Sequence, residues 1–460
     1  MSRRRILLIA CPIAALVIAA GCWYWSWDPV PVASYVPPGS KVVLRVIDLS
    51  SGLEESGYAE ASARWCPPIA PGLSPLDAVG EECVVFIPET SSDDLVRSAA
   101  IATRLNLKAK LAELIGTLVG KSQKVESPAG NRLRMVKAGT RIVYYTRVGR
   151  TLIASLSRGS LDAVLEHEPA PQTVGALEGP GLELKAVTQG IVDLVKLADS
   201  RGLMPNSKTG DKIRNGVAVV TEMDLRGILG NELVFEGEIG ILSIAGQMLL
   251  EKPGTRFVPK AMKHIPGKVQ LCVGTNQLSV LSLVREIAAG SRVMDRFVRI
   301  ASEYVAGTES FEGSFTLANA SLGGRPAAFL VIRTTKVIFP HGVETGLMAK
   351  LGESVGQASY GGQLNEGPFY RVAGAGLADD GFVWFSGSAI VLASSEGALD
   401  AIASRMVNAS LEDIFSREGD VFLYAHPASE VIGPVRVRFL LEKDKLTLTG
   451  GVRLRPAERG

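Results

Sequence analysis

The sequence predicts an α+β fold of two homologous domains, with mainly antiparallel sheets and helices packed on one face, after one N-terminal transmembrane or signal helix. Three observations predict it. A charge-free apolar run fills Ile6 to Trp25, blocks of sequence recur in the same order with a period near 230 to 240 residues, and short apolar strands arrive in hairpin pairs between a few amphipathic stretches. The expected division is 1–27 for the N-terminal segment, 28–255 for the first domain and 256–460 for the second.

The apolar run follows Arg3, Arg4 and Arg5. At about 1.5 Å per residue a helix of this length is about 30 Å long, enough to span a hydrocarbon core. The arginines would stay cytoplasmic, while Trp23, Tyr24, Trp25 and Trp27 would lie in the far interface. This predicts a single pass through the inner (cytoplasmic) membrane, with the bulk of the chain extracytoplasmic. The alternative is a lipoprotein signal: Ala19, Ala20 and Gly21 precede Cys22, which would then carry lipid and anchor the chain in the periplasm. Both readings make the membrane a partner.

Of five cysteines, Cys11 and Cys22 belong to this segment. Cys66 and Cys83 bracket a proline-rich stretch and could form a disulfide in an oxidising compartment. The competing reading is two buried thiols, since Cys83 opens the apolar run CVVFI. Cys272, within VQLCV, is expected in the core.

The duplication rests on four collinear blocks. LKAKLAELIG from Leu107 and LMAKLGESVG from Leu347 share six of ten residues. GRTLIASLSRGSLDAV from Gly149 and GSAIVLASSEGALDAI from Gly387 share six of sixteen, at an offset of 238. PPGSKVVLRV from Pro37 pairs with IPGKVQLCV from Ile265, and ELVFEGEIGI from Glu232 with KLTLTGGVRL from Lys445. EKPGTRFVPK, from Glu251, has the composition of a linker.

Element by element, Lys41 to Val46 and Val269 to Val273 are strands after a Pro-Gly turn, each followed by a helix-like segment. Glu82 to Ile87 and Ala99 to Arg104 are further strands, matched by Glu312 to Leu317 and Ala327 to Arg333. Lys108 to Val119 carries Leu111, Leu114, Ile115 and Leu118 at helical spacing, and its partner is Glu344 to Val355. The hairpin Arg141 to Tyr145 with Thr151 to Leu156 leads to a helix capped by Ser157. Its second copy is Gly381 to Phe385, Ala389 to Ala393 and a helix capped by Ser395. Val217 to Leu225 with Leu233 to Ile241, and Val435 to Leu441 with Lys445 to Arg453, are the last hairpins.

Chemistry is sparse. Forty-nine basic against 47 acidic residues, with no basic stripe beyond the N-terminus, argue against nucleic acid as a partner. Gly352-Glu-Ser-Val-Gly356 matches a nucleophile elbow in letters, but it sits at a helix end, so Ser354 is not expected to be catalytic. Gly116 to Ser122 is one residue short of a phosphate loop. His167, His264, His341 and His426 lack metal-ligand spacing. The polar residues repeated in both halves (Lys110 and Lys350, Glu113 and Glu353, Ser157 and Ser395, Asp162 and Asp400) each have a structural role as ion pair or cap. Glu222, Asp224, Glu236 and Glu238 alternate on one hairpin and are expected on a solvated sheet face. No catalytic, cofactor-binding or metal residue is assigned, and no cofactor is expected.

The twin α+β halves behind an N-terminal anchor resemble the uncharacterised bacterial membrane-anchored extracytoplasmic proteins with duplicated α+β halves. The resemblance covers architecture and carries over no functional residue. The expected function is a membrane-tethered, non-enzymatic binding or scaffolding protein of the cell envelope, with an envelope protein or lipid as partner. The alternative is a hydrolase of envelope polymers that uses carboxylates in the groove between the halves.

Overall fold

The computed structural model describes residues 30–55, 81–89, 95–104, 122–138, 141–148, 151–167, 180–200, 217–230, 232–242, 256–288, 292–308, 312–335, 342–365, 367–374, 380–404, 408, 417–426 and 432–454. The N-terminal segment and the helix expected over 108–119 lie outside them. Among the described residues, no helix is long and apolar enough to cross a membrane.

The chain divides into two compact units, residues 1–203 with 224–231 and 456–460, and residues 204–223 with 232–455. In the first lie β1 (Val42–Ile47), α1 (Leu49–Glu55), β2 (Glu82–Ile87), α2 (Leu95–Ser98), β3 (Ala100–Arg104), β4 (Ser122–Glu126), β5 (Arg132–Ala138), β6 (Arg141–Val148), β7 (Thr151–Ser155), α3 (Arg158–Leu165), β8 (Gly181–Val187) and α4 (Thr188–Ser200). The unit boundary falls inside β9 (Val220–Leu229). The second unit holds β10 (Leu233–Ile241), β11 (Lys268–Thr275), α5 (Leu278–Ala288), α6 (Arg292–Ala306), β12 (Gly313–Leu322), β13 (Arg325–Thr334), α7 (Val343–Ser354), β14 (Gly356–Leu364), β15 (Gly367–Gly374), β16 (Asp380–Ser386), β17 (Ala389–Ala393), α8 (Glu396–Ala403), β18 (Val421–Ala425), β19 (Ile432–Leu441) and β20 (Lys445–Leu454).

Every registered strand pair is antiparallel. In the first unit the strands run side by side as β4-β5-β6-β7-β3-β2-β1-β8. In the second the order β14-β15-β16-β17-β13-β12-β11-β18 repeats this strand for strand, then continues through β19, β20 and β10. The register repeats too. Ala102 faces Ile153 in one unit and Val331 faces Val391 in the other, and Ile153 and Val391 are 238 apart, the offset already seen between the sequence blocks. Local chemistry follows: Ser157 and Ser395 each accept a hydrogen bond from the backbone N–H three residues on, capping α3 and α8. Gly39 and Gly267 turn the chain into β1 and β11 at φ +78° and +76°, a region that favours glycine.

The expected α+β arrangement, with helices collected on one face, is not what forms. Among the described residues strand outweighs helix by 52% to 27%, so the fold is mostly antiparallel sheet. In the second unit the helices also lie on both faces. Side chains alternate along a strand, and here the two sets feed two cores. Leu330, Ile332, Val383, Ile390 and Leu392 pack with α6 and α7, whereas Phe329, Val331, Trp384, Val391 and Ala393 pack with α8 and the segment around Met262. In the first unit, Val84, Phe86, Ala102 and Ile153 pack under α3 and the short turn Val32–Tyr35. At about 25 cal/mol per Å2 of apolar surface removed from water, burial on both faces stabilises a strand roughly twice as much as burial on one.

Candidate functional site

Charge inside a sheet carries a desolvation cost, so the first unit's interior charges stand out. β1 places Arg45 directly opposite Glu183 of β8, and Glu82 of β2 lies diagonally across. Arg45 Nε donates to Glu82 Oε1 at 2.9 Å, and Arg45 Nη1 is 3.7 Å from Glu183 Oε2. Arg45, Glu82 and Glu183 side chains are only 11%, 12% and 6% exposed. Glu82 also accepts the Val32 backbone N–H at 3.1 Å. Outward, Lys185 Nζ and Arg226 Nε lie 3.1 and 3.5 Å from Glu183, and Asp224 contacts both cations. The result is a row of three cations and three carboxylates in which Arg45 lies between Glu82 and Glu183. A carboxylate pair used for hydrolysis needs one member available to hold a substrate's proton; here both are engaged by the same guanidinium.

The matching place in the second unit is built differently. Followed strand by strand from Ile153 and its counterpart Val391, the register puts Gly274, not the Cys272 of the paired sequence blocks, in the position of Arg45, opposite Phe422 where the first unit has Glu183. The space over Gly274 is filled, since a Cβ there would lie 3.1 Å from Met262 Sδ, and Phe257 stacks edge-on against Phe422 with centroids 5.3 Å apart. The outer arginine remains. Arg438 lies opposite Phe422 as Arg226 lies against Glu183. The equivalence is supported by Leu229 and Leu441, whose N–H groups donate to the Pro180 carbonyl and to Asp420 Oδ2. Arg438 Nε donates to Thr449 Oγ1 at 3.2 Å and Nη1 to the Glu418 carbonyl at 3.4 Å, and its stem lies over Gly419. The bridge between Phe257 and Gly419 brings Arg256 and Arg417 to the same corner. Burial, then the charges of Arg417 and Arg256, hold Arg438 below the ordinary arginine pKa. Burial pushes the Asp420 carboxyl up.

A third feature is the outermost strand of each unit. β14 pairs only with β15 among the described residues, and its sequence GQASYGGQL carries no charge. Tyr360 at its centre is 63% exposed and meets Tyr370, which in turn meets Phe385. Tyr370 is fixed by donating its hydroxyl to Glu344 of α7 at 2.5 Å, which raises its pKa to about 12. The equivalent strand of the first unit, β4, carries Lys124 and Glu126 beside Arg134 and Arg132. Charge on an edge discourages pairing with another chain; β14 lacks that protection and retains only a bulge between Tyr360 and Gly362.

The residues singled out in the sequence are distributed as follows. Cys22 and Cys66 lie outside the described residues. Cys83 is a buried thiol whose pKa burial raises to about 12, and Cys272 is likewise buried and raised. Asp162 is buried and accepts from Asn131 Nδ2 and the Ala129 N–H, tying α3 to the turn between β4 and β5, whereas Asp400 is exposed. Ser354 ends α7, Lys350 and Glu353 form an exposed pair at 3.8 Å, and Glu238 is paired with Lys445. Among the described residues no three metal-ligating side chains gather. Sequence reasoning missed the Arg45 row; the signal was a single arginine inside the run VVLRVI.

No protein-family model matches the chain, and no curated protein matches it. It is similar to solved structures of TP0453. Crystal form I is 12% identical with a TM-score of 0.29, covering 50% of this chain and 89% of that one. Form IV is 10% identical at 0.29, covering 51% and 90%, and form III 11% identical at 0.27, covering 47% and 80%. Scores this low establish neither fold nor function for this chain.

Proposed function

We propose that the chain is a non-enzymatic binding or scaffolding protein of the cell envelope, tethered to the membrane by its N-terminal segment. An extended, uncharged segment of another envelope protein adds to the β14 edge. The uncharged edge itself carries this reading, because the duplicated fold offers its own control: the same strand position is charged in β4 and neutral and aromatic in β14. Strand addition draws affinity from backbone hydrogen bonds and specificity from alternate side chains, here those beside Tyr360. The two positions can be compared in intact cells by placing photoreactive benzoylphenylalanine at 360 and, in a second strain, at 124. Adducts to one partner from 360 and not from 124 support the reading. No adduct from either, with purified protein cleaving a cell-wall fraction, supports the hydrolase instead.

A further inference from the structure

We infer that Arg438, with Arg417 and Arg256, forms an oxyanion site in the second unit that takes a phosphate group, either free or on a lipid headgroup. The arginine at the end of the Arg45 row recurs in both units, but its counter-ion does not: Arg226 has Glu183, whereas Arg438 has Phe422 at the corresponding position. Among the described residues no carboxylate lies within ion-pair distance of Arg438, Arg417 or Arg256. Asp420 is turned inward, its carboxylate accepting the Leu441 N–H at 2.8 Å, and Glu418 offers Arg438 only its carbonyl oxygen.

The placement suits a planar fork. Gly419 has no side chain, so the Arg438 stem lies flat on the backbone; a Cβ there would come within 2.9 Å of Arg438 Cγ. Thr449 Oγ1 takes Nε and the Glu418 carbonyl takes Nη1, which orients the guanidinium and leaves Nη2 to donate to a ligand oxygen. Arg417 and Arg256, both exposed, flank Gly419 and its bridge partner Phe257 and supply the further charge a dianion requires. The three guanidiniums repel one another; among the described residues only the Asp420 carboxylate, acting on Arg256, offsets part of that repulsion, and a bound phosphate removes the remainder.

The test uses the full chain in neutral detergent micelles. Calorimetric titration with inorganic phosphate at low salt should give saturable binding, weakened about tenfold or more by Arg438→Gln and by Arg417→Gln, and unchanged by Arg226→Gln. Arg438→Lys, which keeps the charge and loses the fork, should fall between, with the near-UV circular dichroism of each variant confirming its fold. Flotation of the chain with phosphatidylcholine vesicles, with and without phosphatidic acid, identifies the source. Enrichment on phosphatidate that requires Arg438 places the phosphate on a lipid, whereas binding of free phosphate alone places it on a soluble ligand. Absence of both, or binding that Arg438→Gln and Arg417→Gln leave unchanged, overturns the inference.

Discussion

Replacing Arg45 with methionine removes the cation between Glu82 and Glu183. Breaking a buried ion pair from one side costs about 3–5 kcal/mol, because the remaining charge stays desolvated. The structure sets where in that range the loss falls. Glu183 keeps Lys185 at 3.1 Å and Arg226 at 3.5 Å, so it is not stranded. Among the described residues the Glu82 carboxylate then keeps the Val32 N–H and no cation. The expected loss is therefore the cost of one stranded carboxylate, about 3 kcal/mol, or roughly 6–12 °C in the first unit's melting transition. The triple variant R45M/E82Q/E183L imitates the apolar solution of Gly274 and Phe422, and should recover most of the loss. Thermal melts by circular dichroism give the size, and hydrogen exchange of peptides covering β1, β2 and β8 gives the location. A loss below about 1 kcal/mol for R45M, or a triple variant no better than R45M, would refute the reasoning that Arg45 is the counter-charge of this row.

Ser157→Ala and Ser395→Ala should each cost about 1 kcal/mol, measured by urea unfolding, because both remove the same cap from equivalent helices. Gly346→Ala should destabilise the second unit by about 1–3 kcal/mol: the added methyl would collide with the Tyr304 hydroxyl where α7 crosses α6, and a chemical melt checks it. Cys83 binds its proton more tightly folded, at about 12, than unfolded, at 9.0, so its stabilising contribution is complete below pH 9 and lost as pH rises toward 12. Unfolding free energy should fall across that window by at most about 1.4 kcal/mol per pH unit for this thiol, and Cys83→Ser should reduce that slope. Iodoacetamide at pH 8 should label Cys83 only after denaturant is added.

Much of the fold was legible because it is written locally. The Pro-Gly turns before β1 and β11, the serine caps of α3 and α8, and the hairpin β6–β7 with its copy β16–β17 depend on neighbours a few residues apart, and the sequence states them directly. Burial of the second unit's strands under helices on both faces was legible too, in a signal that was outweighed. AAFLVI, from Ala327 to Ile332, has no polar residue at any alternate position, the mark of a strand covered on both faces. The expectation of one solvated face followed the commoner antiparallel pattern instead. The hairpins β4–β5 and β14–β15 went unread because β14 is glycine-rich, neutral and weakly alternating.

The candidate sites were the least legible part. Arg45, Glu82 and Glu183 are separated by 37 and 101 residues along the chain, and no local pattern ties them together. The corner holding Arg256, Arg417 and Arg438 likewise joins three distant segments. By itself the sequence determined the twin blocks, their turns and caps, and the apolar content of the strands, since those follow from short-range backbone preference and side-chain period. Only tertiary structure decided which strands become neighbours, which face each helix covers, and whether a given arginine meets a glutamate or a phenylalanine. Those outcomes depend on contacts closed across long stretches of chain, where register and burial, not spacing in sequence, determine which side chains meet.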